Sequence, residues 1–98
     1  MSAPAPLFYV FLKFNGDTKK APFSKRKEDI LFEDLSQKAK ERFPSLKSEH
    51  FKFTYFDNSE KIDCNSDVDI NDAMLTVQGI ITFEIEIEIE VSIFLLQI

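Results

Sequence analysis

Six carboxylates crowd into sixteen residues of this 98-residue chain: Asp57, Glu60, Asp63, Asp67, Asp69 and Asp72. Carboxylates this dense repel one another unless a cation or a basic surface lies nearby. Three chemistries would answer that need: a calcium site, a metal-assisted reaction, or recognition of a basic protein surface. Calcium fits only the first half of the pattern. Asp63, Asn65, Asp67 and Asp69 stand at ligand positions one, three, five and seven of an EF-hand loop, but position six needs Gly and holds Val68, and position twelve needs a bidentate Glu and holds Met74. No metal and no cofactor are expected.

Nucleophilic and acid–base chemistry are no better supplied. Cys64 is the only cysteine and His50 the only histidine, and no local spacing ties them together as nucleophile and base. Paired carboxylates need a cleft to work as general acid and base, and a module this small rarely supplies one. No catalytic residue is assigned and no enzyme activity is expected. One cysteine also excludes an intrachain disulfide and fits a reducing compartment. Residues 1–6 (MSAPAP) lack the basic start and apolar run of a signal peptide, and the longest apolar stretches are charged or too short to span a bilayer. A cytoplasmic location without membrane contact is the expectation.

The basic residues lie in the other half. Residues 1–52 hold eleven of the twelve basic residues and seven acids, a net of +4; residues 53–98 hold Lys61 and ten acids, a net of −9, and the two make up the overall −5. Lys19, Lys20, Lys25, Arg26 and Lys27 form the densest basic run. A pI near 4.8 disfavours nucleic acid as its partner, because the acidic half repels phosphate. A molecule with one basic and one acidic surface instead attracts copies of itself, or of similar modules, head to tail.

The elements that must position these charges follow from periodicity. Residues 8–14 (FYVFLKF) read as a strand with Phe8, Val10, Leu12 and Phe14 on one face and Tyr9, Phe11 and Lys13 on the other. Asn15-Gly16-Asp17 predicts a turn, since Asn-Gly tolerates positive φ, and residues 18–25 return as a second strand that Pro22 confines to an edge. Phe32, Leu35, Ala39 and Phe43 share one helical face, with Glu33 and Asp34 near the start, Lys40 and Arg42 near the end, and Pro44 as the stop. Residues 51–56 (FKFTYF) alternate as a third strand, and a short one is expected around Lys61 to Cys64. Ser66 or Asp67 caps a short helix with Ile70, Ala73 and Met74 inside. A last strand begins near Ile80. This order predicts an α+β fold, a ubiquitin-like β-grasp roll with a mixed four- to five-stranded sheet and two helices on one face.

With these elements in place the acidic segment resembles the acidic motif of the Phox and Bem (PB-one) domain family, an interaction module of ubiquitin-like fold. Tyr55, Asp57, Glu60, Ile62, Ser66, Asp67, Asp69, Ile70 and Ala73 fill that motif's places. Where the family usually has Gly before its second acid, this chain has Asn58-Ser59-Glu60, one residue shorter. Lys13 matches the family's first-strand lysine, Lys19 and Lys20 its basic pair, and Phe32-Glu-Asp-Leu35 its entry to the first helix. The likeness spans residues 8–90. It implies the combined type, which carries both surfaces: a basic one of Lys13, Lys19 and Lys20, and an acidic one of Asp57, Glu60, Asp67 and Asp69. The implied function is protein interaction in a scaffold or adaptor, as a homo- or hetero-oligomer in which the lysine of one domain enters the carboxylates of the next.

Residues 83–91 (FEIEIEIEV) alternate almost perfectly, which predicts Ile85, Ile87, Ile89 and Val91 inward and Glu84, Glu86, Glu88 and Glu90 outward. Residues 92–98 continue as an apolar extension that one small sheet cannot cover, which leaves three readings open: it pairs with another chain, it folds back over Tyr9 and Phe11 on the open sheet face, or it is an edge exposed by cutting a longer protein. The expected organisation is a flexible N-terminus over 1–7, a domain over 8–91 and a C-terminal strand extension over 92–98. Strand addition by that extension is the alternative function, a structural assembly in which the charges are incidental. No C-terminal Gly-Gly is present, so a ubiquitin-like modifier is not expected.

Overall fold

Strand β1 (Phe8–Phe14) turns through Asn15-Gly16 into β2 (Asp17–Phe23), and the pair is antiparallel with Phe14 opposite Asp17. Both turn residues have positive φ, 52° at Asn15 and 79° at Gly16, the backbone a two-residue hairpin loop demands. Helix α1 (Phe32–Arg42) follows, then β3 (Phe51–Asp57), β4 (Glu60–Cys64), α2 (Asp67–Thr76) and β5 (Thr82–Ile87). This computed structural model describes residues 8–88. The expected flexible N-terminus, and the 92–98 extension with its strand addition, lie outside the described residues.

The five strands form one mixed sheet in the order β2-β1-β5-β3-β4. The last strand runs parallel to the first and antiparallel to β3, so it closes the sheet at its centre. This is the β-grasp arrangement that the element order predicts. The inward residues of all five strands meet α1 and α2 in one core: Val10, Leu12, Phe53 and Phe83 from the sheet, Leu35, Ala39, Ile70 and Met74 from the helices. The outer strands are poor templates for a further strand: β2 contains Pro22, and β4 carries Glu60, Lys61 and Asp63.

The alternation of the last strand holds through Ile85, which is buried, while Glu84 and Glu86 lie on the opposite face. Ile87 departs from it and is 42% exposed. It stands opposite Phe51, the first residue of β3, at the rim of the core rather than over it. Ile89, Val91 and Glu90 lie outside the described residues.

Among the described residues no helix covers the other face of the sheet, the bare face. Tyr9, Phe11 and Lys13 of β1 lie there with Lys20 of β2, Glu84 and Glu86 of β5, Lys52 and Thr54 of β3, and Lys61 and Asp63 of β4. Several of these charges satisfy one another. Lys52 Nζ lies 3.1 Å from Asp63 Oδ2, Thr54 donates to Glu86 Oε2 at 3.3 Å, and Lys61 pairs with the same carboxylate. The Lys61 ammonium holds the Glu86 carboxyl below the usual range.

Candidate functional site

Lys13 sits one residue from the end of β1, where strand geometry holds its stem normal to the sheet. Its cross-strand neighbours are Thr18 on β2 and Glu84 on β5. Glu84 flanks it, yet no carboxylate among the described residues lies within 4.0 Å of its ammonium. Lys13 and Glu84 instead line a cleft of about 360 Å³ on the bare face, with Thr54, Phe56 and Ile80.

The two lysines after the turn part company. Lys20 is opposite Phe11 and so shares the bare face with Lys13; its ammonium lies 4.0 Å over the ring of Tyr9, a cation–π contact that fixes its direction without neutralising it. Lys19 is opposite Leu12 and so points to the helix side. There it donates to the carbonyl of Arg42 at 3.0 Å, packs 5.0 Å from the Phe43 ring centre and lies 3.9 Å from Asp17. Its charge meets the orphan carbonyls at the negative end of α1. Of the three basic residues singled out in the sequence, the structure brings together Lys13 and Lys20.

The acidic residues gather at the other edge of the sheet. Asp57 ends β3 and faces Glu60 across a two-residue turn. Asn58 and Ser59 both take positive φ there, 50° and 74°, the hairpin solution to a turn one residue shorter than the motif it resembles. Neither carboxylate has an ion-pair partner among the described residues. Ser66 caps α2 by accepting from the Asp69 N–H at 3.3 Å, and the Asp69 carboxylate accepts from the Asn65 N–H at 3.2 Å. That pair of bonds rigidifies the start of the helix and holds Asp69 in place.

Asp67 has a different task. Its Oδ1 accepts from the N–H of Phe32 at 2.7 Å, so the first turn of α2 caps the first turn of α1. Asp34 accepts from the neighbouring Leu31 N–H at 2.9 Å and completes that cap. Asp63 runs to Lys52 on the bare face. Among the described residues no three His, Cys, Asp or Glu side chains converge on a point where a metal would be held.

Asp72, one of the six crowded carboxylates, is not among the acidic-surface residues read from the sequence, yet it belongs with Asp57 and Asp69. Burial raises the Tyr55 hydroxyl above its ordinary value, and the charges of Cys64, Asp57, Asp72 and Asp69 add to that rise, so all three carboxylates act on this one side chain. The signal was present in the spacing, since Asp69 and Asp72 are three apart on a helix and share a face. Cys64 lies beneath them, fully buried; burial pushes its thiol up to about 12, with Asp69, Asp63 and Asp72 adding to the effect. The folded chain should therefore be inert to an aromatic disulfide reagent near neutral pH and react promptly once denatured. Fast labelling of the folded chain would contradict this placement.

The result is a molecule with a cation on the bare face of one side of the sheet and a carboxylate cluster at the helix side of the opposite edge. Among the described residues the two surfaces do not meet. Among the described residues no helix is long and apolar enough to cross a membrane.

No protein-family model matches this sequence, and no curated protein matches it. Among solved structures, the AtNBR1-PB1 domain is similar to this chain with a TM-score of 0.69, covering 87% of this chain and 100% of that one at 13% sequence identity. At that identity the likeness shows the fold alone, a ubiquitin-like β-grasp roll.

Proposed function

We propose that this chain is a protein-interaction module of the PB1 type, with both surfaces, occupying residues 8–91 and acting as a scaffold or adaptor element in the cytoplasm. Lys13, with Lys20 beside it, forms the donor surface, and Lys19, on the helix side of the strand that carries Lys20, supports it by holding the end of α1. Asp57, Glu60, Asp67 and Asp69 form the acceptor surface of a second copy or of another domain of this kind. No chemistry is assigned to the module itself.

One observation carries the reading. Lys13 is a rigidly based ammonium with no ion pair among the described residues, while Asp57 and Glu60 are unpaired carboxylates on the far edge of the same sheet. Among the described residues each surface lacks what the other supplies. A charged hydrogen bond between them is stronger than a neutral one, and two unlike surfaces in contact propagate as a ring or a filament rather than closing as a twofold dimer.

Light-scattering mass across a salt series tests this. At low salt the chain is expected to form species larger than a dimer, which dissociate toward monomer as rising salt screens the pairing. Large species that ignore salt would overturn charge pairing as the assembly force. A chain monomeric at every salt would overturn self-assembly and leave another domain of this kind as the partner.

A further inference from the structure

Charge pairing leaves two apolar features unused. On α2, Ile70, Ala73 and Met74 fill the core, while Val68 and Leu75 are 69% and 68% exposed. Val68, Asp72 and Leu75 stand at i, i+4 and i+7 and so form one stripe along the helix, a carboxylate between two aliphatic side chains. On the bare face of the sheet, the cleft beside Lys13 is walled by Phe56 and Ile80, which are 62% and 51% exposed. Scattered exposed apolar residues need no explanation. These four are not scattered: one pair brackets an acid of the acidic surface, and the other borders Lys13, which has no ion pair among the described residues.

We infer that the Val68–Asp72–Leu75 stripe of one copy seats in the Phe56–Ile80 cleft of the next, with Asp72 directed to Lys13. This rests on the head-to-tail reading above and names the apolar contact that would accompany it. Charge complementarity identifies the occupant as a second copy, because the stripe has an acid at its centre and the cleft has a cation at its rim that lacks an acid of its own within 4.0 Å among the described residues. Continuity supports it too. Asp69 and Asp72 are one turn apart, so a docking that brings Asp69 to Lys13 brings the stripe within about 5.4 Å of the same point. The contact also supplies what ion pairs in water lack: apolar cover that excludes solvent from the charges and strengthens them.

The test uses two chains that can form only one interface. A Lys13→Ala chain keeps the acidic surface and stripe; a chain with Asp57→Ala, Asp69→Ala and Asp72→Ala keeps the lysine and cleft. Their affinity is measured by calorimetry. Val68→Ser with Leu75→Ser in the first chain is expected to weaken binding by about tenfold or more, as is Ile80→Ser in the second. The two sets combined should cost less than their product, because each removes the same contact. The same substitutions exchanged between the chains, where the altered surfaces face solvent, should leave the affinity unchanged, which separates a lost contact from a damaged fold. Unaltered affinity with the substitutions on the facing surfaces overturns the apolar seat and leaves charge pairing standing. No binding between the two parent chains overturns charge pairing, and this inference with it.

Discussion

A Lys13→Ala chain is expected to be monomeric at salt concentrations where the unaltered chain forms large species, and so is a chain with Asp57→Ala and Asp69→Ala. Mixed one to one, the two form a dimer and go no further. Removing one member of a hydrogen-bonded charge pair that an interface desolvates costs about 2–5 kcal/mol, roughly thirtyfold to several thousandfold in a dissociation constant. Lys13 stands at the high end for two reasons. Its strand already fixes the backbone and the Cα–Cβ direction, so binding has only the side-chain torsions left to order. Its ammonium has no carboxylate within 4.0 Å among the described residues, so it gives up no pair to make a new one.

The same reasoning ranks the other basic residues. Lys20→Ala should weaken assembly less, since Lys20 shares the face of Lys13 but already lies over Tyr9. Lys19→Ala should act chiefly on the fold, by freeing the Arg42 carbonyl at the end of α1. Sedimentation velocity on each variant and on the mixture checks the order. Large species persisting in every sample would sink the two-surface reading, because an assembly indifferent to both surfaces uses neither.

What could be foreseen follows the range of the interaction involved. The β1–β2 hairpin was legible because Asn15-Gly16 has few other uses between two alternating runs, and the structure puts both residues at positive φ. The inner face of α1 was legible because Leu35, Ala39 and Phe43 repeat at helical spacing, and all three are buried. The tie of Asp67 to Phe32 was not legible, since the residues are 35 apart in sequence and meet only when both helices pack on one sheet. Lys19 is an intermediate case. Grouping it with Lys20 followed sequence adjacency, but adjacent residues of a strand point to opposite faces. The two-residue turn sets Lys13 opposite Thr18, and that register alone sends Lys20 to the lysine's face and Lys19 to the helix side. The exposure of Ile87 lay beyond alternation, which tells which face a residue takes and not where the sheet ends.

The centre of the sheet links the two surfaces, and Phe53→Ala should therefore remove both at once. Phe53 is fully buried on β3, with the rings of Phe32, Phe51 and Phe83 centred 5.5, 5.7 and 5.9 Å away. The rings meet edge to face, at interplanar angles of 68°, 89° and 69°, the geometry that adds to simple area burial. Truncating a buried Phe costs about 3–5 kcal/mol, against a total of about 5–15 kcal/mol for a domain. For a chain this size, each kcal/mol moves the melting midpoint by roughly 4–8 °C, so calorimetry should register a fall of at least ten degrees or so. The functional consequence separates this variant from the surface ones. Phe53 joins β5, which carries the β1–β2 edge and Lys13, to β3, which ends in Asp57. Above its lowered midpoint the Phe53→Ala chain should pair with neither the Lys13→Ala chain nor the Asp57→Ala/Asp69→Ala chain; below it, with the fold intact, it should pair with both. A midpoint within a few degrees of the unaltered chain would mean that the core collapses around the lost ring and that β3 is not the element holding the two edges in register.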